Sequence, residues 1–179
     1  MDGNVGRLEA VGSVRPSPDL IDFCEQQHPR LSKLLALYCG DMGLADDLAQ
    51  EALARACRDW PKVRHLASPE AWIYRVAVNL AHSHFRRRAI EARVKRLLQP
   101  SPPAVIDEPS LEGAFLLQVI KRLPHRQRSA LLLHYYFDLP VKEVAEILDC
   151  PEGTVKTLVH KASEAVRNSY DESEMEGNL

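Results

Sequence analysis

Residues 141–167 read VKEVAEILDCPEGTVKTLVHKASEAVR, and this stretch decides the fold. Its first part places four apolar side chains on one face of a short helix: Val141, Val144, Ala145 and Leu148. The turn Asp149-Cys150-Pro151 follows, and a second helix is predicted from Glu152 to Arg167. Two short helices joined by a tight turn are what a DNA-reading helix-turn-helix requires. A helical hairpin that serves only for packing remains an open alternative.

The second of these helices separates an inner face from an outer one. The inner stripe is apolar and consists of Val155, Val159, Ala162 and Val166. The outward positions carry hydroxyl, imidazole and basic groups: Lys156, Thr157, His160, Lys161 and Arg167. Such side chains are suited to base edges and phosphates in a major groove.

The pattern of apolar residues in the rest of the 179-residue chain predicts an all-α protein. Apolar residues recur at three- and four-residue spacings, and no run alternates between apolar and polar residues as a half-buried strand does. One helix is expected from about Asp19 to Cys39, with a break or kink at Pro29. A second is expected over 44–60, with its buried stripe at Leu44, Leu48, Ala52 and Ala56. Pro61 should end it, and 61–67 should form a loop. Ser68-Pro69-Glu70 then predicts a third helix reaching about Leu98.

The chain is expected to form two small helical domains joined by a Pro-rich linker. The predicted boundaries are a flexible tail over 1–18, a first domain over 19–98, the linker over 99–112, a second domain over 113–170 and an acidic tail over 171–179. Within the second module, helices are expected over 111–123 and 126–137, ahead of the helix-turn-helix. The chain after Tyr170 is expected to be disordered. Each module is too small for a large core of its own.

Charge is strongly segregated behind a formal net charge of −2. Residues 61–96 hold nine Lys or Arg against only Glu70 and Glu91, whereas residues 41–60 hold five acids against Arg55 and Arg58. This asymmetry indicates one surface for nucleic acid and a separate acidic surface for a protein.

Several function classes find no support in the residues. The N-terminus has no basic start followed by an apolar run, and no stretch approaches the roughly 18 apolar residues of a membrane span, so a cytoplasmic protein without membrane insertion is expected. The four cysteines, Cys24, Cys39, Cys57 and Cys150, form no CxxC pair and are interpreted as small buried thiols. His82 and His84 cannot chelate one ion from a helix, because i and i+2 point to opposite sides. No metal, no cofactor and no enzymatic activity are expected.

The helix expected from Ser68 onward carries a narrow basic strip between two apolar faces. At 100° per residue the strip falls within an arc of about 60° and consists of Arg75, Asn79, His82 and Arg86. Arg87 continues the positive charge. Arginine can hold phosphate or a base edge with two hydrogen bonds, and asparagine can read adenine. A solvated basic face explains the strip equally well from the pattern alone. In the preceding loop, Arg64 and His65 are candidates for cradling an unpaired base. Trp60 fits either base stacking or the core.

Three motifs, taken together, resemble a known family. They are ADDLAQEA over 45–52, PEAWIYRVAVN over 69–79, and the set LPHRQR, VAEIL and PEGTVK over 123–128, 144–148 and 151–156. In order and spacing they resemble the extracytoplasmic-function sigma factors, the minimal two-domain members of the bacterial sigma-70 family. The match covers about residues 20–167, and three motifs in register are far more specific than one.

The resemblance implies an alternative sigma factor that directs core RNA polymerase to promoters and melts DNA there. It implies polymerase contacts from the first motif through Asp46, Asp47, Gln50 and Glu51. It implies capture of the −10 element by the loop 61–68 and the basic strip: Arg64, His65, Arg75, Asn79, His82, Arg86 and Arg87. It implies recognition of the −35 element through Thr154, Lys156, Thr157, His160 and Lys161. The helices over 111–137 would pack on the polymerase flap. The family commonly has an anti-sigma factor, so such a partner is expected.

This chain departs from the family pattern in its helix-turn-helix. Leu158 and Ser163 stand where the family usually has basic residues, and Pro140 stands where a capping side chain is common. Each missing bidentate arginine removes a contact of about 1–3 kcal/mol. Two rival functions remain beside the sigma hypothesis: a stand-alone helix-turn-helix regulator, and an interaction module that sequesters a partner without binding DNA.

Overall fold

The computed structural model describes residues 17–98 and 111–176, and within these ranges the chain is helical and contains no strand. The described ranges contain seven α-helices, with a π-helical segment after the fifth. Their bounds are α1 Pro18–Cys39, α2 Met42–Val63, α3 Pro69–Leu98, α4 Leu111–Arg122, α5 His125–Leu131, the π-helical segment Leu132–Tyr136, α6 Val141–Leu148 and α7 Glu152–Glu176. The all-α fold expected from the sequence is confirmed. The N-terminal tail to residue 16, the linker over 99–110 and residues 177–179 lie outside the described residues.

The break expected at Pro29 does not occur, because α1 runs without interruption from Pro18 to Cys39. Pro29 lies on the exposed side of the helix. A proline inside a helix costs about 3 kcal/mol or more, but four large side chains of the following turns are fully buried: Leu31, Leu34, Leu35 and Tyr38. Their burial outweighs the lost hydrogen bond. The predicted end at Gly40 is correct: Gly40 has a φ of 66° and donates its N–H to the Ala36 carbonyl at 2.7 Å.

Helix α2 also continues through a proline, and the predicted end at Pro61 is wrong. The helix reaches Val63, because both Trp60 and Val63 are buried in a small cluster with Leu20 of α1. Asp41 caps its start, accepting the Leu44 N–H at 2.9 Å. The loop before α3 is therefore shorter than expected.

The start of α3 agrees with the sequence signal. The Ser68 hydroxyl accepts the Ala71 N–H at 3.0 Å, Pro69 is the first helical residue and Glu70 lies in the first turn. The helix extends to Leu98, as predicted. The cap fixes where α3 begins and therefore which residues of the helix share the face that carries the basic strip.

The second module contains the predicted helix-turn-helix, with α6 at its expected bounds. Asp149 ends α6 with a φ of 51°. Cys150 and Pro151 then complete the turn before α7 begins at Glu152. The helix expected over 126–137 is instead α5 followed by the π-helical segment. The disorder expected after Tyr170 is wrong, because α7 continues to Glu176.

The two modules share one hydrophobic core. Leu34 of α1 and Ile73 of α3 belong to the same buried cluster as Ile120, Leu133 and Val144 of the second module. Neither module was expected to bury a large core alone, and the structure meets that need by packing the two together. This packing decides what the candidate site exposes.

Candidate functional site

The acidic motif forms an exposed surface on α2. Asp47, Gln50 and Glu51 are exposed, and Asp46 is half exposed. Two bonds order this surface: the Gln50 amide donates to Asp46 at 2.8 Å, and Arg55 Nε pairs with Glu51 at 2.8 Å. The opposite side of α2 is buried at Ala45, Leu48, Ala49 and Ala52. A helix that is packed on one side and acidic on the other offers a protein partner a fixed, negatively charged face.

The outer face of α7 is likewise free of packing. All five of its predicted DNA contacts are exposed: Thr154, Lys156, Thr157, His160 and Lys161. The helix is anchored by its inner stripe, in which Val155 and Ala162 are fully buried. Leu158 is half buried and packs against the core, so it supports the helix instead of facing a groove.

The basic strip of α3 is divided between solvent and the second module. Arg86 and Arg87 are exposed, whereas the preceding part of the strip lies against α5 and α6. The Arg75 guanidinium donates a hydrogen bond to the backbone carbonyl of Glu146 in α6. Asn79 is exposed at a cleft of about 290 Å³, which Ile147 and Leu148 of α6 also line. Thus the residues predicted to read a base are the ones that face the second module.

A pair of histidines closes the same cleft. The rings of His82 and His125 stand with centroids 3.5 Å apart. Burial lowers the pKa of His125 to about 4, helped by the neighbouring His82, Arg126 and Arg128. Burial also lowers the pKa of His82, with a further contribution from Arg86. Both imidazoles are therefore neutral at this contact near pH 7, surrounded by positive charge.

Acidification is expected to weaken the packing between the modules. Because the folded-state pKa of His125 is depressed, the stability linked to its neutral form is complete above the ordinary pKa of about 6.5. That stability is lost as the pH falls toward about 4. Thermal unfolding followed between about pH 7.5 and 5 should show a falling Tm, with a shallower fall for His125→Gln.

The matched control for this experiment is His160→Gln, since His160 is exposed on α7. Its melting profile should follow the wild type across the pH range. A His125→Gln profile that also follows the wild type would contradict the role of the histidine pair.

The loop before α3 presents Arg64 and His65 to solvent, but not Trp60. Arg64 and His65 are exposed, and Arg64 forms an ion pair with Asp19 of α1 at 3.1 Å. Trp60 is 8 % exposed, packs on Phe23 with ring centroids 5.0 Å apart, and donates its indole N–H to Asp19 at 3.2 Å. Of the two interpretations of Trp60, the core one is correct.

Sequence reasoning gave no individual role to Arg128, which the structure places at the centre of the module contact. Its guanidinium donates to the carbonyl of Tyr38 in α1 at 3.0 Å, to that of Leu123 at 3.2 Å and to that of Lys121. It also lies 4.8 Å from the Tyr38 ring centroid and 5.9 Å from that of Phe85. Position 128 belongs to the third motif, but a pattern cannot show that its partner is ninety residues upstream.

The first module carries an acidic face and a basic helix, and the second carries an exposed helix-turn-helix, the kind of element that DNA-binding proteins place in the major groove. Family models match both parts: "Sigma-70 region 2" over residues 23–90 and "Sigma-70, region 4" over 116–166. The chain belongs to the extracytoplasmic-function sigma factors of the sigma-70 family.

Curated relatives agree with this assignment. The chain is 32 % identical to the RNA polymerase sigma-E factor of Streptomyces coelicolor, over 69 % of this chain and 70 % of that protein. It is 30 % identical to the ECF RNA polymerase sigma-E factor of Escherichia coli, over 79 % of this chain and 81 % of that protein. It is therefore a non-enzymatic initiation factor that directs RNA polymerase core to promoters, as the sequence predicted.

Solved structures show the same fold. The sigma factor RpoE of Bartonella quintana, in complex with the anti-sigma factor NepR, superposes with a TM-score of 0.71 at 20 % identity and covers 87 % of this chain and 98 % of that one. CnrH, in complex with the cytosolic domain of CnrY, gives a TM-score of 0.60 at 15 % identity over 85 % and 87 %. Among the residues that the structure describes, no helix has both the length and the apolarity to cross a bilayer.

Proposed function

We propose a division of labour among the surfaces of this sigma factor. The α2 face binds core polymerase through Asp46, Asp47, Gln50 and Glu51. The loop and strip of α3 capture the −10 element through Arg64, His65, Arg75, Asn79, His82, Arg86 and Arg87. The outer face of α7 contacts the −35 element through Thr154, Lys156, Thr157, His160 and Lys161. What supports this assignment is that the polymerase and −35 sets are exposed on rigid helices with buried opposite faces.

Capture of the −10 element by this strip requires a conformational change. Because Arg75 is bonded to Glu146 and His82 is stacked on His125, the described arrangement is a closed form in which this part of the strip lies against the second module. DNA capture therefore follows separation of the two modules. Docking of α2 and of the second module on different parts of the polymerase supplies the free energy for that separation. The free protein is then a poor −10 reader, while the −35 face stays accessible.

The experiment that tests the function uses purified core polymerase, the full chain and a library of random promoters. Run-off transcription should enrich one two-part promoter, with conserved positions about one −35 to −10 spacing apart. A chain that fails to bind core polymerase at all would contradict the assignment. Sequence-specific duplex binding without polymerase, seen in a gel shift, would instead favour a stand-alone regulator.

Loss of the α2 face is expected to weaken polymerase binding without unfolding the protein. Asp47 and Gln50 are both exposed, so Asp47→Ala with Gln50→Ala removes polar contacts and leaves the core intact. Interface contacts of this kind contribute about 1–2 kcal/mol each, so loss of both should lower the affinity roughly 30- to 1000-fold. Titration of core polymerase against labelled protein measures the change.

The control pair is Asp171→Ala with Asn168→Ala, an exposed acid and an exposed amide on α7, far along the chain from the α2 face. It should bind core polymerase as the wild type does. If both double variants bind equally well, the polymerase surface lies elsewhere.

The proposal includes a cytoplasmic location and an anti-sigma partner. RpoE of Bartonella quintana, which shares the fold, was solved with the anti-sigma factor NepR. An apolar groove that spans both modules, lined by Leu37 of α1 and by Leu116, Ile120 and Leu131, offers a suitable surface. A partner seated there would hold the closed form.

A further inference from the structure

Two cysteines from different helices meet on the first module. The Sγ atoms of Cys24 in α1 and Cys57 in α2 are 3.9 Å apart. Cys57 is exposed and Cys24 is half buried. The sequence interpretation of all four cysteines as buried thiols is therefore wrong for Cys57. Thirty-three residues separate the pair along the chain, so the fold alone brings them together.

The cysteine pair lies beside a buried apolar cluster. Cys24 packs against the small cluster formed by Leu20, Trp60 and Val63, which joins the end of α2 to the start of α1. Cys57 lies one helical turn before Trp60 on α2. A disulfide bond has an S–S length of about 2.05 Å, so the two sulfurs, which are 3.9 Å apart in the reduced pair, must approach each other for the bond to form.

We propose that Cys24 and Cys57 are an oxidisable dithiol, which a hydroperoxide converts to a disulfide between α1 and α2. The chemical class of the oxidant is hydrogen peroxide or an organic hydroperoxide. The exposed Cys57 is the attacking thiol and Cys24 is the resolving one. Burial and the neighbouring Cys57 raise the pKa of Cys24 to about 11, which fits this order because a thiolate is the nucleophile toward peroxide.

The reaction balances in two steps. The Cys57 thiolate attacks one oxygen of hydrogen peroxide, the O–O bond breaks, and the released hydroxide takes up the proton lost from Cys57 to give water. Cys57 is then a sulfenic acid. The Cys24 sulfur attacks the Cys57 sulfur, the S–O bond breaks, and the leaving hydroxide takes the Cys24 proton. Two thiols and one peroxide thus give one disulfide and two waters.

The position of the bond gives it a structural consequence. It would tie α1 to the last two turns of α2, ahead of the loop that carries Arg64 and His65, and Arg64 already pairs with Asp19 of α1. Oxidation therefore restrains the base of the proposed −10 loop. Formation of the disulfide can be measured on the free protein, so the result does not depend on polymerase or DNA.

The experiment treats the full native chain with hydrogen peroxide and maps the products by non-reducing peptide mass spectrometry. The expected product is one intramolecular cross-link between the Cys24 and Cys57 peptides, with the loss of two hydrogen atoms and reversal by dithiothreitol. Titratable thiols should fall from four to two. The same treatment in denaturant should form this cross-link at least tenfold more slowly, because the fold supplies the proximity.

Variants separate the two roles. Cys57→Ser should abolish the cross-link, and Cys24→Ser should leave a Cys57 sulfenic acid that dimedone traps. Cys150→Ser, which alters a half-buried thiol elsewhere, should oxidise as the wild type does. The proposal is overturned if the native chain gives no Cys24–Cys57 cross-link, if Cys57 proceeds to sulfinic acid with Cys24 intact, or if denaturant leaves the rate unchanged.

Discussion

Replacing Arg128 with alanine is expected to separate the two modules and to lower the Tm by about 5–15 °C. The guanidinium donates to the carbonyls of Tyr38, Leu123 and Lys121, and all of these bonds lie in or beside the contact between the modules. Hydrogen bonds from a buried charged group contribute about 1.5–3 kcal/mol each, offset in part by the cost of burying the charge. A net loss of about 2–4 kcal/mol in the free energy of unfolding gives that range of Tm for a chain of this size.

Two further measurements distinguish separation from general unfolding. At low temperature, small-angle scattering should show the wild type near a compact radius of gyration of about 16 Å, with a larger value for Arg128→Ala at unchanged helix content. The variant should also bind a single-stranded −10 oligonucleotide more tightly without polymerase, because the strip is uncovered.

The matched control is Arg126→Ala, on the same helix. Arg126 is exposed and makes one hydrogen bond of 3.3 Å, to the Leu148 carbonyl. Its Tm should change by less than about 3 °C. Arg128→Lys keeps the charge but loses the planar fork, so it should lie between wild type and alanine. Equal effects of the two alanine variants would show that Arg128 is not central to the contact.

Replacing Arg75 and Asn79 together is expected to reduce promoter opening by about 100-fold or more. Each side chain can make a bidentate contact of about 1–3 kcal/mol with DNA, and each 1.4 kcal/mol is a factor of ten. The double alanine variant should still bind core polymerase, because α2 is untouched. Permanganate reactivity of unpaired thymines on the selected promoter measures opening directly.

A pre-melted promoter supplies the internal test of this prediction. If Arg75 and Asn79 act in strand opening, a template with an unpaired −10 region should recover much of the lost transcription. Arg58→Ala with Asn168→Ala is the matched control, since it removes the same residue types from exposed positions outside the strip. Wild-type opening by the Arg75 and Asn79 double variant would remove α3 from the promoter-melting role. Because Arg75 also holds the closed form through Glu146, the comparison is made on the polymerase-bound protein.

Local chemistry explains how much of the fold the sequence predicts. Signals within a few residues set three helix termini. Gly40 at positive φ ends α1, the Ser68 hydroxyl caps the start of α3, and Asp149 ends α6. The two proline predictions fail for a non-local reason. Pro29 and Pro61 each lie inside a helix that long-range burial keeps continuous, and a pattern that weighs each proline alone misses that compensation.

The candidate site shows the same division. Helical periodicity predicts the exposed face of α7 and the buried stripe of α2, because both depend on neighbours three and four residues away. The covering of Arg75 by α6 and the burial of Arg128 against Tyr38 depend on how two separated modules meet. The meeting of Cys24 with Cys57 has the same origin. No short-range pattern carries such information.

The shared core has a consequence for how the protein is controlled in a cell. The second module and the proposed −10 strip belong to one chain, so each meets the other at an effective concentration on the order of millimolar, the value typical of modules that are covalently linked. Dilution does not lower that value, and synthesis of more protein does not raise it. The fraction of molecules with an uncovered strip is therefore independent of abundance. More copies supply more closed molecules, and only binding events that favour the separated modules convert them.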